Sequence, residues 1–412
     1  RLNATTYGIT SVRTFSTNRT TDFDHPTPNF DEELDKLRTE AKSGNADAQC
    51  SLGELYYEGT GVIADKHRAI ELFKESATQN NARAQLNLGL CYQKGDVVPQ
   101  NYDEAVKLLS LSAQQDNRFA LHALALTYLE GRGVKKAPNE AMKHFERAIQ
   151  LGDDESMALV GTMHLHGDEH VTKDVPKAIE LLQKAASSGN TFAQYKLGRT
   201  YLHGTGISQN VEKALELLAP LAEQGHASAQ SCLGYYYYGF NNEENDKKAL
   251  ELFKKASEQG HPGGYVGLAF CYESGIGGLE ADLQQAFEYF KKAADKNVTK
   301  AQFHLGVCYH RGQGVEQNVE KGLVILTSAA EEGNQEAQKA LGFIFKNGEG
   351  VEKDYAKAAH YFTLAANAGE LDAIFSLGIC FVEGQGVTKD QKKGEQLIQQ
   401  AADAGHPLAK SF

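Results

Sequence analysis

No run of apolar residues in this 412-residue chain approaches the ~18 that suggest a membrane-crossing helix. Walker, His-Glu-X-X-His, Cys-X-X-Cys and Gly-X-Ser-X-Gly sequences are also missing. Their absence removes the usual catalytic signatures, and the expectation is a protein that is not an enzyme and carries no cofactor. A nucleic-acid binder is expected to show a basic stripe. None is visible beside the net charge of −12, so neither nucleic acid nor a membrane span is expected.

Cysteine is scarce, six residues in all, and its placement argues against disulfides. Cys91, Cys271, Cys308 and Cys380 occupy one equivalent position in different copies of a repeat, where other copies carry Leu55, Thr127, Met163 or Ile344. Stacked helices would hold neighbouring copies about 10 Å apart, beyond the ~7 Å Cα reach of a disulfide. Free thiols acting as small core residues in a reducing compartment are therefore expected.

The amino end departs from the rest. Residues 1–21 contain Arg1, Arg13 and Arg19, nine Ser or Thr, and no acid before Asp22. Residues 1–29 read either as a mitochondrial transit segment or as a disordered tail. Many threonines make a poor amphipathic helix. Without an apolar secretory core the expected location is intracellular, in cytoplasm or mitochondrion, and the Asn-X-Thr sequons at Asn3, Asn18 and Asn297 are taken as chance.

What the chain does contain is one phrase repeated ten times. It reads Ala48-Gln-Cys-Ser-Leu-Gly53-Glu-Leu-Tyr56-Tyr-Glu-Gly59, and its central small residue returns at Gly89, Ala125, Gly161, Gly198, Gly234, Ala269, Gly306, Gly342 and Gly378. The spacings are 35 to 37 residues. Such a period marks stacked supersecondary units sharing one elongated core.

Each unit parses as two helices and two turns. Ala48, Leu52, Leu55, Tyr56 and Gly59 follow a helical period. The small residue should let a neighbouring helix approach closely. The tyrosine slot (Tyr56, Tyr92, Tyr128, Tyr201, Tyr237, Tyr272, Tyr309) supplies bulk, with Phe345 and Phe381 filling it without a hydroxyl. A Gly-X-Gly turn follows in seven copies, suited to a left-handed helix cap. Asp65, Asn101, Asn210, Asn318, Asp354 and Asp390 stand where they would N-cap the second helix. That helix opens on Lys-Ala patterns such as Lys213-Ala and Lys357-Ala.

At these residues the chain resembles the Sel-one-like repeat family, a branch of the tetratricopeptide-like α-solenoids. The Leu-Gly-X-X-Tyr-X-X-Gly-X-Gly-Val phrase carries the resemblance across residues 46–405. It implies an all-α, right-handed superhelix of about ten 36-residue helix-turn-helix repeats whose first helices line a concave wall. Residues 30–45 read as an amino-terminal capping helix and 406–412 as the start of a further repeat. Members serve in protein quality control, cell-wall synthase activation, mitochondrial stress signalling and respiratory-chain assembly. The implied function is a non-enzymatic scaffold or adaptor that holds a protein partner on its concave face. A regulatory segment of a larger enzyme, kinase-linked for example, and an endoplasmic-reticulum quality-control adaptor are the alternatives.

Candidate sites lie where the copies disagree. The residue after the small one is Tyr235, Phe270, Val307, Phe343 and Ile379 in repeats six to ten, and its earlier counterparts include Glu54, Thr162 and Arg199. This row is either an apolar groove for a peptide or helix or packing against the next first helix. Lys196, Arg199 and His203 in repeat five, with His304, His310 and Arg311 in repeat eight, are candidate anchors for an acidic segment. The cluster His164, His166, Asp168, Glu169 and His170 holds metal-ligand types, yet its register puts His164 in the core, and no metal site is assigned. The Gly-X-Gly turns follow helices and lack a third glycine, so a dinucleotide loop is not expected. The sixth turn, Gly239 to Asp246 with three acids, is where a change of curvature or a hinge would fall.

Overall fold

Helical periodicity in the sequence becomes helix throughout the described residues, which in this computed structural model are 30–411 except Asp96, Glu169 and Asn241. The expectation for residues 1–29 lies outside them. Two compact units divide between Leu217 and Leu218. The first holds α1 (Phe30–Lys42), α2 (Ala46–Glu58), α3 (Lys66–Thr78), α4 (Ala82–Lys94), α5 (Tyr102–Ala113), α6 (Arg118–Glu130), α7 (Pro138–Gln150), α8 (Asp154–His166), α9 (Val175–Ser187) and α10 (Thr191–His203). The division falls inside α11 (Val211–Glu223), the second helix of the fifth repeat, which contains Pro220.

The second unit continues with α12 (Ala227–Tyr238), α13 (Glu243–Glu258), α14 (Pro262–Ser274), α15 (Leu283–Ala294), α16 (Thr299–Arg311), α17 (Val319–Glu331), α18 (Gln335–Asn347), α19 (Tyr355–Asn367), α20 (Leu371–Glu383) and α21 (Gln391–Asp403), then a 3₁₀ turn at Ala409–Ser411. Within each unit the helices pack consecutively, first helix on second and second on the next first. The fold is an all-α solenoid.

Helix boundaries follow from caps. All six expected Asp or Asn residues accept a backbone N–H of their second helix, as Asp65 does from Arg68 at 2.9 Å and Asn318 from Lys321 at 2.9 Å. A second set at the first helices (Asn45, Asn81, Asn117, Asp153, Asn190 and Asn334) does the same work. Each cap satisfies a donor that the helix cannot, worth about 1 kcal/mol. The opposite ends stop on left-handed glycines, for example Gly59 at φ 75° and Gly348 at φ 75°.

Two glycine positions show why no side chain fits. A Cβ on Gly53 would sit 2.7 Å from Phe73 Cε1, and one on Gly234 would sit 2.6 Å from Phe253. The small residue therefore admits the second helix of its own repeat, whose aromatic ring fills the core. Phe73, Phe145, Phe253, Phe290 and Phe362 are fully buried there, each stabilising by roughly 1.5–3 kcal/mol relative to exposure. The second glycine of the turn meets the preceding repeat. A Cβ on Gly133 would lie 2.6 Å from Tyr102 Cβ, at the start of α5.

The tyrosine slot is half-buried rather than core, and its common demand is a ring face. Lys213, Lys248, Lys321, Lys357 and Lys393 place their ammonium groups 4.0–5.7 Å from the ring centroids of Tyr201, Tyr237, Tyr309, Phe345 and Phe381. This gives the Lys-Ala pattern a role and accounts for phenylalanine in the slot. None of the six cysteines forms a disulfide, and Cys232 is the one not buried.

Candidate functional site

First helices present the residues at which repeats differ. Along α16, Phe303, Val307, His310 and Arg311 recur at helical spacing and share one side. On α18 the matching side carries Lys339, Ala340, Phe343 and Asn347. Between them lies a pocket of about 460 Å³ lined by these residues, with Leu326 and Ile344 also contributing apolar surface. Four residues singled out from sequence, Val307, His310, Arg311 and Phe343, are brought together here.

The rest of the row takes one common pose. Tyr235 stands edge-on to Phe253 at 4.9 Å and donates its hydroxyl to the Gly263 carbonyl at 3.3 Å. Phe270 stands edge-on to Phe290 at 5.5 Å, with the Lys300 ammonium 5.2 Å from its ring. Phe343 meets Phe362 at 5.1 Å, and Ile379 packs in the cluster around Ile398. All five are half-buried. Each rests one side on the second helix of its own repeat, and Tyr235 and Phe270 also touch the next first helix, at Gly263 and at the His304 ring 4.9 Å away.

Polar groups in the pocket are of two kinds. Lys339 is committed, its Nζ 2.6 Å from Glu370 and 3.0 Å from Asp372. His310 is 6% exposed, and its Nδ1 has no hydrogen-bond partner. Burial holds its imidazole below the usual value, with Glu349 opposing and Arg311 reinforcing that shift. Asn347 donates to Glu349 at 2.8 Å. His304 is not a free cation as the sequence suggested. It stacks on Phe290 at 4.7 Å, and burial followed by Lys300 lowers its pKa to about 4.

In the amino-terminal unit, Lys196, Arg199 and His203 lie along one side of α10, with Arg199 and His203 exposed and Lys196 half-buried. The position that is apolar later is polar at the start: Glu54 pairs with Arg83 and accepts from Asn87 at 3.0 Å. The histidine cluster separates. His164 is buried with Nδ1 3.0 Å from the Thr172 carbonyl, whereas His166 and His170 are exposed. Among the described residues no group of three His, Cys, Asp or Glu is placed to hold a metal ion. No described helix is long and apolar enough to cross a membrane.

Sequence reasoning missed Phe303 and Ala340, which lie a turn before the row. Extending Val307 and Phe343 by three or four residues along their helices would have found both.

Comparison with known proteins adds three findings. The Sel1 repeat family matches ten times in succession, over residues 46–81, 82–117, 118–153, 154–190, 191–226, 227–261, 263–298, 299–334, 335–370 and 371–406. Among solved structures, c5321, a protective antigen present in uropathogenic Escherichia coli strains and displaying an SLR fold, is 30% identical. That match covers 92% of this chain and 81% of the other, with a TM-score of 0.63. A Sel1 repeat protein from Oxalobacter formigenes is 29% identical, covering 56% of this chain and 95% of its own, with a TM-score of 0.49. No curated protein sequence matches the chain.

Proposed function

Because the chain belongs to the Sel1 repeat family, we propose that it is a non-enzymatic scaffold or adaptor that seats a protein partner on its first helices. The observation that carries this reading is the pocket between α16 and α18. Its walls are Phe303, Val307, Ala340 and Phe343, and its cation Arg311 has no ion-pair partner among the described residues. A recess a few hundred Å³ in volume, lined in equal part by apolar side chains and by polar ones that include Glu336 and Glu349, suits an anchoring side chain with a polar end. Tyr235, Phe270 and Ile379 hold the equivalent places on α12, α14 and α20. They would extend the same surface along the partner segment, as grooves for helices or extended peptides do.

The test compares the intact chain with Val307→Ser and Phe343→Ser in quantitative capture from the source organism. Proteins lost from both variants, with cooperative melting preserved, are the expected result. A bound set that survives both substitutions overturns the groove. Variants that no longer melt cooperatively assign these side chains to the core.

A further inference from the structure

The carboxyl-terminal halves of α8 and α10 carry basic side chains and imidazoles and no acid. Lys196, Arg199 and His203 follow at i, i+3 and i+7 on α10, which places them on one side. His166 ends α8, and its imidazole feels Lys196, Arg199 and Lys173. Helix α10 has no Asp or Glu at all. The two acids of α8, Asp154 and Glu155, stand in its first turn, about 16 Å along the axis from His166. In the turn between, Asp168 accepts the backbone N–H groups of His170 and Val171.

None of Lys173, Lys196, Arg199 or His203 has an ion pair with a carboxylate among the described residues. In a chain with 54 acids against 42 basic residues, such a gathering is not forced by composition. Repulsion within it is felt: burial first, then Arg199, lowers the Lys196 pKa to about 8, and burial with Arg199 lowers His203. The Lys196 ammonium instead lies 5.0 Å from the Phe192 ring centroid. An anion docked here would gain attraction and relieve that repulsion.

The spread of these hydrogen-bond donors, two of them Lys196 and Arg199, sets the size of the anion. Lys196 to His203 spans about 10 Å of helix axis, and neighbouring helices add about 10 Å across. That area exceeds a single phosphate group. Carboxylates on alternate residues of an extended chain fall about 7 Å apart on one side, a spacing that lets two or three engage the cluster together.

We propose that this side of α8 and α10 recognises an acidic segment of a protein partner, with carboxylates on alternate residues. The proposal rests on reading the chain as a protein-binding scaffold but uses residues separate from the α16–α18 pocket.

The probe is a labelled ten-residue peptide alternating Glu with Ser, titrated against the intact protein by fluorescence anisotropy. Binding should weaken at least tenfold in Lys196→Gln/Arg199→Gln and several-fold in His166→Gln/Lys173→Gln, whose side chains are exposed. It should fall steeply with salt and vanish for the peptide with Gln in place of Glu. Phe343→Ser should bind the peptide as the parent does. Peptide binding unchanged in both double variants overturns the proposal. So does tighter binding of single-stranded RNA, or of phosphatidylserine vesicles, through the same cations. Partner capture that survives Phe343→Ser, with peptide binding intact, would sink only the pocket reading. Failure of the peptide with capture intact would sink only this one.

Discussion

His122 Nδ1 lies 3.4 Å from Asp153 Oδ2, and both side chains are almost wholly buried, at 6% and 1% exposure. The pair links the first helices of the third and fourth repeats. Ser156 completes it, with Oγ 2.8 Å from the same imidazole nitrogen and its backbone N–H donating to Asp153 at 2.7 Å. A Ser, a His and an Asp meet here, but buried and without access to a substrate, so the grouping is a clamp. Burial acts to raise the Asp153 pKa, and bonds from His122 and Ser156 more than offset it, leaving the carboxyl below its ordinary value.

That clamp makes stability depend on pH. A carboxyl with a depressed folded pKa contributes stability above its unfolded value near 4 and loses it as pH falls through the folded value. Asp153→Ala should lower stability by roughly 2 kcal/mol, because it removes a cap and strands a buried imidazole. Asp153→Asn keeps an acceptor for Ser156 and should cost less. Urea midpoints between pH 7 and pH 3 decide the matter. An acid dependence identical in parent and Asp153→Asn would remove the charge from the account.

The turn glycines separate two penalties. Gly189 has φ +85° with nothing within 4 Å of a Cβ, so Gly189→Ala meets backbone strain alone, about 1 kcal/mol. Gly133 has φ +70°, and its Cβ would strike Tyr102 at 2.6 Å. Gly133→Ala should therefore cost about 1–3 kcal/mol more. Equal denaturation midpoints for the two variants would mean that the seam between repeats two and three yields freely.

Much of this frame could be read from residues alone, because it rests on local rules. Asp65 and Asn318 sit at fixed offsets from a helical stripe, and a cap needs little beyond that offset. Gly53 is different: the sequence called for closeness, yet that the visitor is Phe73 of the same repeat depends on three-dimensional packing. The pocket was half legible. Val307 and Phe343 stood out as variable apolar residues, but Phe303 and Ala340 join them only when two helices from adjacent repeats lie side by side. His304 shows the limit, since nothing in its neighbours along the chain signals a stack on Phe290.

The lysine over the tyrosine slot yields a sharper expectation. Lys321 Nζ lies 4.0 Å from the Tyr309 ring centroid and 2.8 Å from its hydroxyl. Phe345 and Phe381 keep the ring contact without any hydroxyl. Tyr309→Phe should change stability by less than about 0.5 kcal/mol. Tyr309→Leu loses the ring face and the edge contact with Phe287 at 5.3 Å, and should cost about 1–2 kcal/mol. If the two substitutions cost the same, the hydroxyl rather than the ring holds the slot.

Thiol chemistry tests the core from outside. Burial pushes the Cys271 thiol up to about 12 and Cys308 up to about 11, with Asp246 and Glu273 adding to the respective shifts. At pH 8 both remain protonated, and a protonated buried thiol is a poor nucleophile. Cys50, Cys91 and Cys380 are buried too, whereas Cys232 on α12 is half-buried. Iodoacetamide at pH 8, read by mass spectrometry of peptides, should therefore label Cys232 first and the other five only as denaturant unfolds their repeats. Because each core thiol belongs to one repeat, the order of labelling in rising urea also reports which repeats open first, as expected for a solenoid held by nearest-neighbour contacts. Rapid native labelling of Cys271 or Cys308 would contradict the packing of α14 and α16.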